Sequence, residues 1–317
     1  PVEEGECLEC HSPHGSAHDG LLVDKMESVC LQCHDEGPFK GVVSHEPVAD
    51  GQCSSCHQVH GSDHPGLLNS GVKELCLECH DVISDDDAKE GSTHAPVVKK
   101  DCTECYQPHS GNQPGLLAVE PGTLCLGCHT KIRLALAASY PHEVVATGKC
   151  MECHEAHQSD QPTLLKAPNE ELCIRCHETK VQQIENGSLH EPSAEGSCLD
   201  CHLAHGGENP GMLSTPSQQL CAECHDMASD SPQWTPHSPV ADGNCTACHD
   251  PHNSAQPDLL VTSTEFICIL CHDDLVDDQV AVSIHPPAED ACLDCHLPHG
   301  GDGPVFLKEP VPTLCFQ

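Results

Sequence analysis

The chain of 317 residues is poor in the side chains that build an ordinary core. Aromatic residues make up 2 % of it: one Trp, two Tyr and four Phe. Leu, Ile, Val and Phe together number 63, just under 20 %. Such a composition lies at the border where too little apolar surface is buried to offset the entropy of folding. An ordinary globular core is excluded. Positive charge is also scarce, with thirteen Lys and Arg against fifty Asp and Glu and a formal net charge of −37. Nucleic-acid phosphates and anionic lipid surfaces both require clustered positive charge, so neither is a partner. Long apolar runs are missing as well. The longest, Ile132 to Tyr140, is interrupted by Arg133 and falls far short of the ~20 residues of a membrane span.

Cysteine and histidine are abundant instead, 27 of each. That is far more than packing or catalysis needs, so something bound must supply the missing core. Every cysteine except Cys315 belongs to a C-x-x-C, and the pairs recur in alternation with a repeat of about 47 residues. Each repeat reads C-x-x-C-H-x-x-H, a hydrophobic doublet, a second C-x-x-C-H, then a lone His, usually in H-x-P. The doublets are Leu21-Leu22, Leu67-Leu68, Leu116-Leu117, Leu164-Leu165, Met212-Leu213, Leu259-Leu260 and Phe306-Leu307. Within a repeat the two pairs are always 19 residues apart, whereas the gap to the next repeat varies from 19 to 22. The doubled motif is therefore the rigid piece and the lone-His segment the tolerant connector. Repeat bounds fall at 1–46, 47–95, 96–143, 144–191, 192–238 and 239–286, with a partial repeat at 287–317. Pro1-Val2 corresponds to Pro47-Val48, and Cys315 stops just before a second Cys is due, so the expectation is a window on a longer array.

C-x-x-C-H is the attachment motif for c-type haem: two thiols form thioethers and the adjacent His reaches the iron. The thioether positions are Cys7, Cys10, Cys30, Cys33, Cys53, Cys56, Cys76, Cys79, Cys102, Cys105, Cys125, Cys128, Cys150 and Cys153. They continue with Cys173, Cys176, Cys198, Cys201, Cys221, Cys224, Cys245, Cys248, Cys268, Cys271, Cys292, Cys295 and Cys315. The proximal histidines are His11, His34, His57, His80, His129, His154, His177, His202, His225, His249, His272 and His296. Paired C-x-x-C motifs also suit a four-cysteine zinc site, but zinc gives no role to a His after every second Cys. The expected load is about 13 haems of type c. At about one per 24 residues, their apolar plates replace the absent core.

Thirteen further histidines recur in register and are the expected distal iron ligands. Seven lie three residues after the first proximal position: His14, His60, His109, His157, His205, His252 and His299. Six lie in the connectors: His45, His94, His142, His190, His237 and His285. Two axial histidines on one iron need Cα atoms roughly 12 Å apart, whereas three residues span at most about 10 Å. His14 therefore serves a neighbouring haem rather than that of His11, and the same holds along the chain. Met26, Met151, Met212 and Met227 recur at no common position, so the haems are expected to be bis-histidine and low in potential. His18 and His64 are left over: their slot holds Gln113, Gln161, Asn209, Gln256 and Gly303 elsewhere, which reads as a surface position.

One motif departs from the pattern. Cys102-Thr103-Glu104-Cys105 is followed by Tyr106. That haem either takes a phenolate or lacks its proximal ligand; a benign lesion in one repeat is the plainer reading. With Gly and Pro numbering 50 together, the expected fold is mostly irregular, with short α-helices and almost no β, arranged as an elongated, solenoid-like array. The best helices run through the second motif, as in Pro168 to Asn186 and Pro216 to Met227.

These residues resemble the multihaem c-type cytochromes with doubled C-x-x-C-H motifs, over nearly the whole chain. The array form resembles extracellular cytochrome filaments of metal-respiring microbes. The resemblance implies attachment of haem after export and a place outside the cell or, second, in the periplasm. It also implies partners that are other cytochromes, copies of the chain, or extracellular metal oxides. The function expected is electron transfer along closely spaced haems, without catalysis. The alternative is an oxidoreductase of a small nitrogen or sulfur compound, with the haem at Cys102 and Cys105 as active site and Lys99, Lys100, Asp101 and Glu104 nearby.

Overall fold

A computed structural model describes residues 2–81, 91–99, 102–226, 231–276, 285–303 and 305–314. Cys315 and Met227, and Lys100 and Asp101 of the alternative site, lie outside the described residues. The chain divides into two compact units, residues 1–133 with 143–166, and residues 134–142 with 167–317.

Both units are built from one local design. Each first motif winds into a single turn, as at Cys7–Glu9, Cys53–Ser55 and Cys102–Glu104 in the first unit and Cys198–Cys201 and Cys245–Ala247 in the second. The turn closes where the residue after the second Cys donates its N–H to the first Cys carbonyl, for example His57 to Cys53 at 3.0 Å. The chain then doubles back through the hydrophobic doublet, whose first residue is left-handed in every repeat: φ is 57° at Leu21, 54° at Leu67, 59° at Leu116, 60° at Leu164, 58° at Met212, 58° at Leu259 and 47° at Phe306. Bulky side chains avoid this region, so the tight reversal holds seven strained positions. The doublet's second residue bridges the proximal position, as Leu22 does His11 and Leu117 does Tyr106.

Helices form over the second motif at Met26–Leu31, Val72–Leu77 and Pro121–Cys128, and in the second unit at Asn169–His177, Ser217–Ala222 and Thr264–Ile267. They are shorter than the sequence suggests. The expected helix over 168–186 ends at His177, followed by a 3-10 turn at Glu178–Lys180, and that over 216–227 ends at Ala222. Helices of two turns have no stability of their own, and these have no apolar bed to extend along.

Strands of two or three residues join repeats that are two apart. Val43–Ser44 pairs with Ser110–Gly111 and Ser92–Thr93 with Gln158–Ser159 in the first unit. Tyr140–Pro141 pairs with Gly206–Gly207, Ser188–Leu189 with Asn253–Ser254, and Trp234–Pro236 with Gly300–Asp302 in the second. All are antiparallel, and each sets a connector beside the segment after an H-x-x-H.

The polypeptide has almost no core of its own. Among the described residues, Val29 and Ala167 are the only buried hydrophobic side chains.

Candidate cofactor sites

The proximal imidazoles are oriented by the strained reversal. Nδ1 of His11 is 2.8 Å from the Gly20 carbonyl, and the same bond joins His57 to Gly66, His202 to Gly211 and His249 to Asp258, each at 2.8 Å. His154 reaches Thr163 at 3.1 Å and His296 reaches Val305 at 2.8 Å. A carbonyl only accepts, so Nδ1 carries the proton and Nε2 keeps its lone pair. No residue pattern announces this carbonyl directly. Its only trace is the glycine before the doublet at Gly20, Gly66, Gly115 and Gly211.

The connector histidines are held by the strand pairs. The His45 N–H donates to the His109 carbonyl at 3.0 Å, and Nδ1 of His45 donates to the Pro108 carbonyl at 3.0 Å. His142 stands in the same way on His205 and Ala204, and His237 on His299 and Pro298. His94 and His190 make the backbone bond to His157 and His252. Here too Nε2 is the nitrogen left for a ligand.

Imidazoles distant in sequence are thereby brought close together. Proximal rings of first motifs meet the H-x-x-H histidine of the following repeat: His11 with His60, His57 with His109, His202 with His252, and His249 with His299. Each connector ring meets a second-motif proximal ring 35 residues on: His45 with His80, His94 with His129, His142 with His177, His190 with His225, and His237 with His272. Ring centres in these pairs are 5.8 to 6.3 Å apart. Two imidazole nitrogens on one metal, each about 2.0–2.1 Å from it, bring their ring centres about 6 Å apart. His14, His34, His285 and His296 lie in no such ring pair among the described residues.

Burial lowers the affinity of His109, His157, His252 and His299 for a proton below that of an ordinary imidazole. The neighbouring imidazoles add to this, His57 for His109 and His94 for His157. Neutral imidazoles are the form that binds metal.

The thiols form a matching series. Cys30 shares a hydrogen bond with Cys53, Cys76 with Cys102, Cys125 with Cys150, Cys221 with Cys245, and Cys268 with Cys292. In each case the first sulfur of a second motif lies against the first sulfur of the next repeat. Burial, reinforced by the neighbouring thiol, pushes Cys76, Cys125 and Cys221 up to about 11. Among the described residues no three His, Cys, Asp or Glu converge to hold a bare metal ion.

The doubled CXXCH motif family matches seven segments, residues 1–39, 45–84, 94–134, 142–182, 190–230, 237–277 and 285–317. The chain belongs to this family. It is a multihaem c-type cytochrome of about 13 to 14 haem c sites. No curated protein matches it. The residues of this cytochrome fit the group: paired thiols on one turn, followed by an imidazole whose Nε2 is bare.

Tyr106 is the exception in chemistry but not in place. Its N–H bonds the Cys102 carbonyl at 3.1 Å, and it bridges Leu117 as the proximal histidines bridge their doublets. Its ring centre lies 6.0 Å from that of His157, and its Oη lies 2.9 Å from His157 Nε2. Phe39 packs at 4.8 Å on His109 and Phe306 lies edge-on to His237, two ring contacts with no sequence signal.

Proposed function

We propose that this cytochrome is an electron conduit in which each iron, apart from that at Cys102 and Cys105, is held by two imidazoles, one from its own motif and one from a neighbouring repeat. The observation that carries the reading is the forward register of ring pairs, from His11 with His60 through His249 with His299. In the second set the connector ring serves the following repeat, as His45 does with His80. The unit of the proposal is the repeat, two haems in each of residues 1–46, 47–95, 96–143, 144–191, 192–238 and 239–286.

Once attached, haem supplies reversible one-electron transfer at iron. The chain's own residues do the rest. Paired cysteines fix each macrocycle at one turn, and the Gly20-type carbonyls hold the proximal imidazoles with Nε2 forward. The strand pairs, anchored two repeats on, hold the connector imidazoles in place for the following repeat. Sulfur against sulfur, as at Cys30 and Cys53, brings the attachment points of successive haems together, as hopping over short steps requires. An iron with imidazoles on both faces offers no place to a substrate, which favours a carrier over a catalyst.

The proposed setting is extracellular or on the cell surface, with other cytochromes, copies of the chain in a filament, or metal oxides as partners. No helix among the described residues is long and apolar enough to cross a membrane. Two measurements test the reading. Electron paramagnetic resonance of the oxidised protein is expected to show low-spin haem at all but one or two positions; a predominantly high-spin spectrum overturns the ligation. Electron microscopy of unfixed native material is expected to show filaments of uniform width with a continuous file of planar densities. Discrete short particles overturn the filament and leave a soluble or surface-bound carrier.

A further inference from the structure

We propose that Tyr106 is itself an axial ligand, its phenolic oxygen standing opposite His157 on the haem held by Cys102 and Cys105. This makes one His/Tyr position in an array of paired imidazoles. The inference rests on the haem array proposed above and concerns the one motif in which that array lacks its histidine.

Three observations carry it. First, the backbone at Tyr106 is that of a proximal position, with the N–H on the Cys102 carbonyl and the bridge to Leu117. The side chain therefore starts from the same point and leaves in the same direction as the imidazoles it replaces. Second, the phenol is turned onto the partner that the register assigns to this slot. Rings 6.0 Å apart and an Oη to Nε2 distance of 2.9 Å place the oxygen directly before the nitrogen of His157. Third, the neighbouring histidines are already taken. His109 of the same repeat is paired with His57, and His94 with His129.

An oxygen and a nitrogen sharing one metal stand about 4 Å apart. Phenol and imidazole thus part by about 1 Å when the metal enters, and both side chains are only half-buried, so the movement meets no packed core. On binding a ferric centre the Oη–H bond breaks, the Oη–iron bond forms and the proton leaves to water, with no change of oxidation state. An anionic oxygen donor stabilises ferric over ferrous iron more than a neutral imidazole does. This haem is therefore the last in the array to accept an electron.

The test uses the haem-loaded full chain. Resonance Raman of the oxidised protein is expected to show iron-bound tyrosinate ring modes that shift when ring-deuterated tyrosine is supplied during growth. The chain has only two tyrosines, Tyr106 and Tyr140. Tyr140→Phe is expected to keep the modes, and Tyr106→Phe to lose them. In Tyr106→His the modes vanish, one more haem becomes low-spin, and the lowest-potential component of the redox titration moves up into the main group. Isotope labelling of the native chain needs no variant to fold. A normal haem count by mass with no tyrosinate modes overturns the ligand assignment and leaves the array standing. A mass without covalent haem overturns the array itself.

Discussion

The ring centres of His57 and His109 lie 6.0 Å apart although 52 residues separate them in the chain. Neither is adjusted by its own neighbours alone: Gly66 fixes the first through Nδ1, and the second sits beside Phe39. Replacing His109 by Ala removes one nitrogen donor and leaves Cys53, Cys56 and His57 in place. The expected outcome is an unchanged haem mass with one ferric haem in about thirteen converted from low to high spin. An unchanged low-spin count in the resonance spectrum would remove His109 as a ligand.

His64 provides the contrast. It follows His60 by four residues, in a slot that other repeats fill with Gln or Asn. His64→Gln is expected to leave the spin-state count and the redox titration unaltered, whereas His60→Gln changes one haem. A high-spin signal from the His64 variant would refute the surface assignment.

The polypeptide without haem is expected to be unfolded. Val29 and Ala167 are the only buried hydrophobic residues among those described, and metal-dependent folds of this kind collapse only around their cofactor. Expression where haem is not attached should give a chain with the circular dichroism of a coil and full amide exchange. A cooperative thermal transition in that material would falsify the expectation.

Thr163 lies in the left-handed region, with φ 55°, where the equivalent residues Gly20, Gly66, Gly115 and Gly211 are glycines. A β-branched residue there is strained, and its carbonyl is the one that orients His154. Thr163→Gly is expected to stabilise the holoprotein by about 1 kcal/mol, the reverse of the usual sign for introducing glycine. Urea unfolding followed at the Soret band measures it; a loss of stability would show that the strain is relieved elsewhere.

Gly187 and Gly127 should respond oppositely to the same change. A Cβ on Gly187 would clash with the Ser254 carbonyl oxygen, on the backbone of the paired strand. Gly127, in the helix Pro121–Cys128, has open space there. Gly187→Ala is expected to cost about 1–3 kcal/mol. Gly127→Ala is expected to gain up to about 1 kcal/mol through helix propensity. Equal effects in parallel melts would argue that the strand pair at Ser188–Leu189 adds nothing to stability.

What was legible in advance was what is local. A C-x-x-C-H closes on itself within one turn, so the identity of the bound group and the turn at Cys53–Ser55 both follow from five consecutive residues. The helix over the second motif was legible in position but not in length, because length depends on what a helix can pack against. The connector strands escaped notice because two residues such as Val43–Ser44 form no alternating pattern. Their existence depends on Ser110–Gly111, two repeats away.

The sequence by itself determined the chemistry of this protein: haem c at C-x-x-C-H motifs, a scaffold without its own core, and histidines that could not all serve their nearest iron. Tertiary structure alone decided the partners. His11 faces His60, His45 faces His80, and Tyr106 faces His157, because backbone bonds between repeats fix where each ring stands. Chain connectivity limits how far a ligand can reach, but many partners satisfy that limit. The strand pairs and the left-handed turns select one of them.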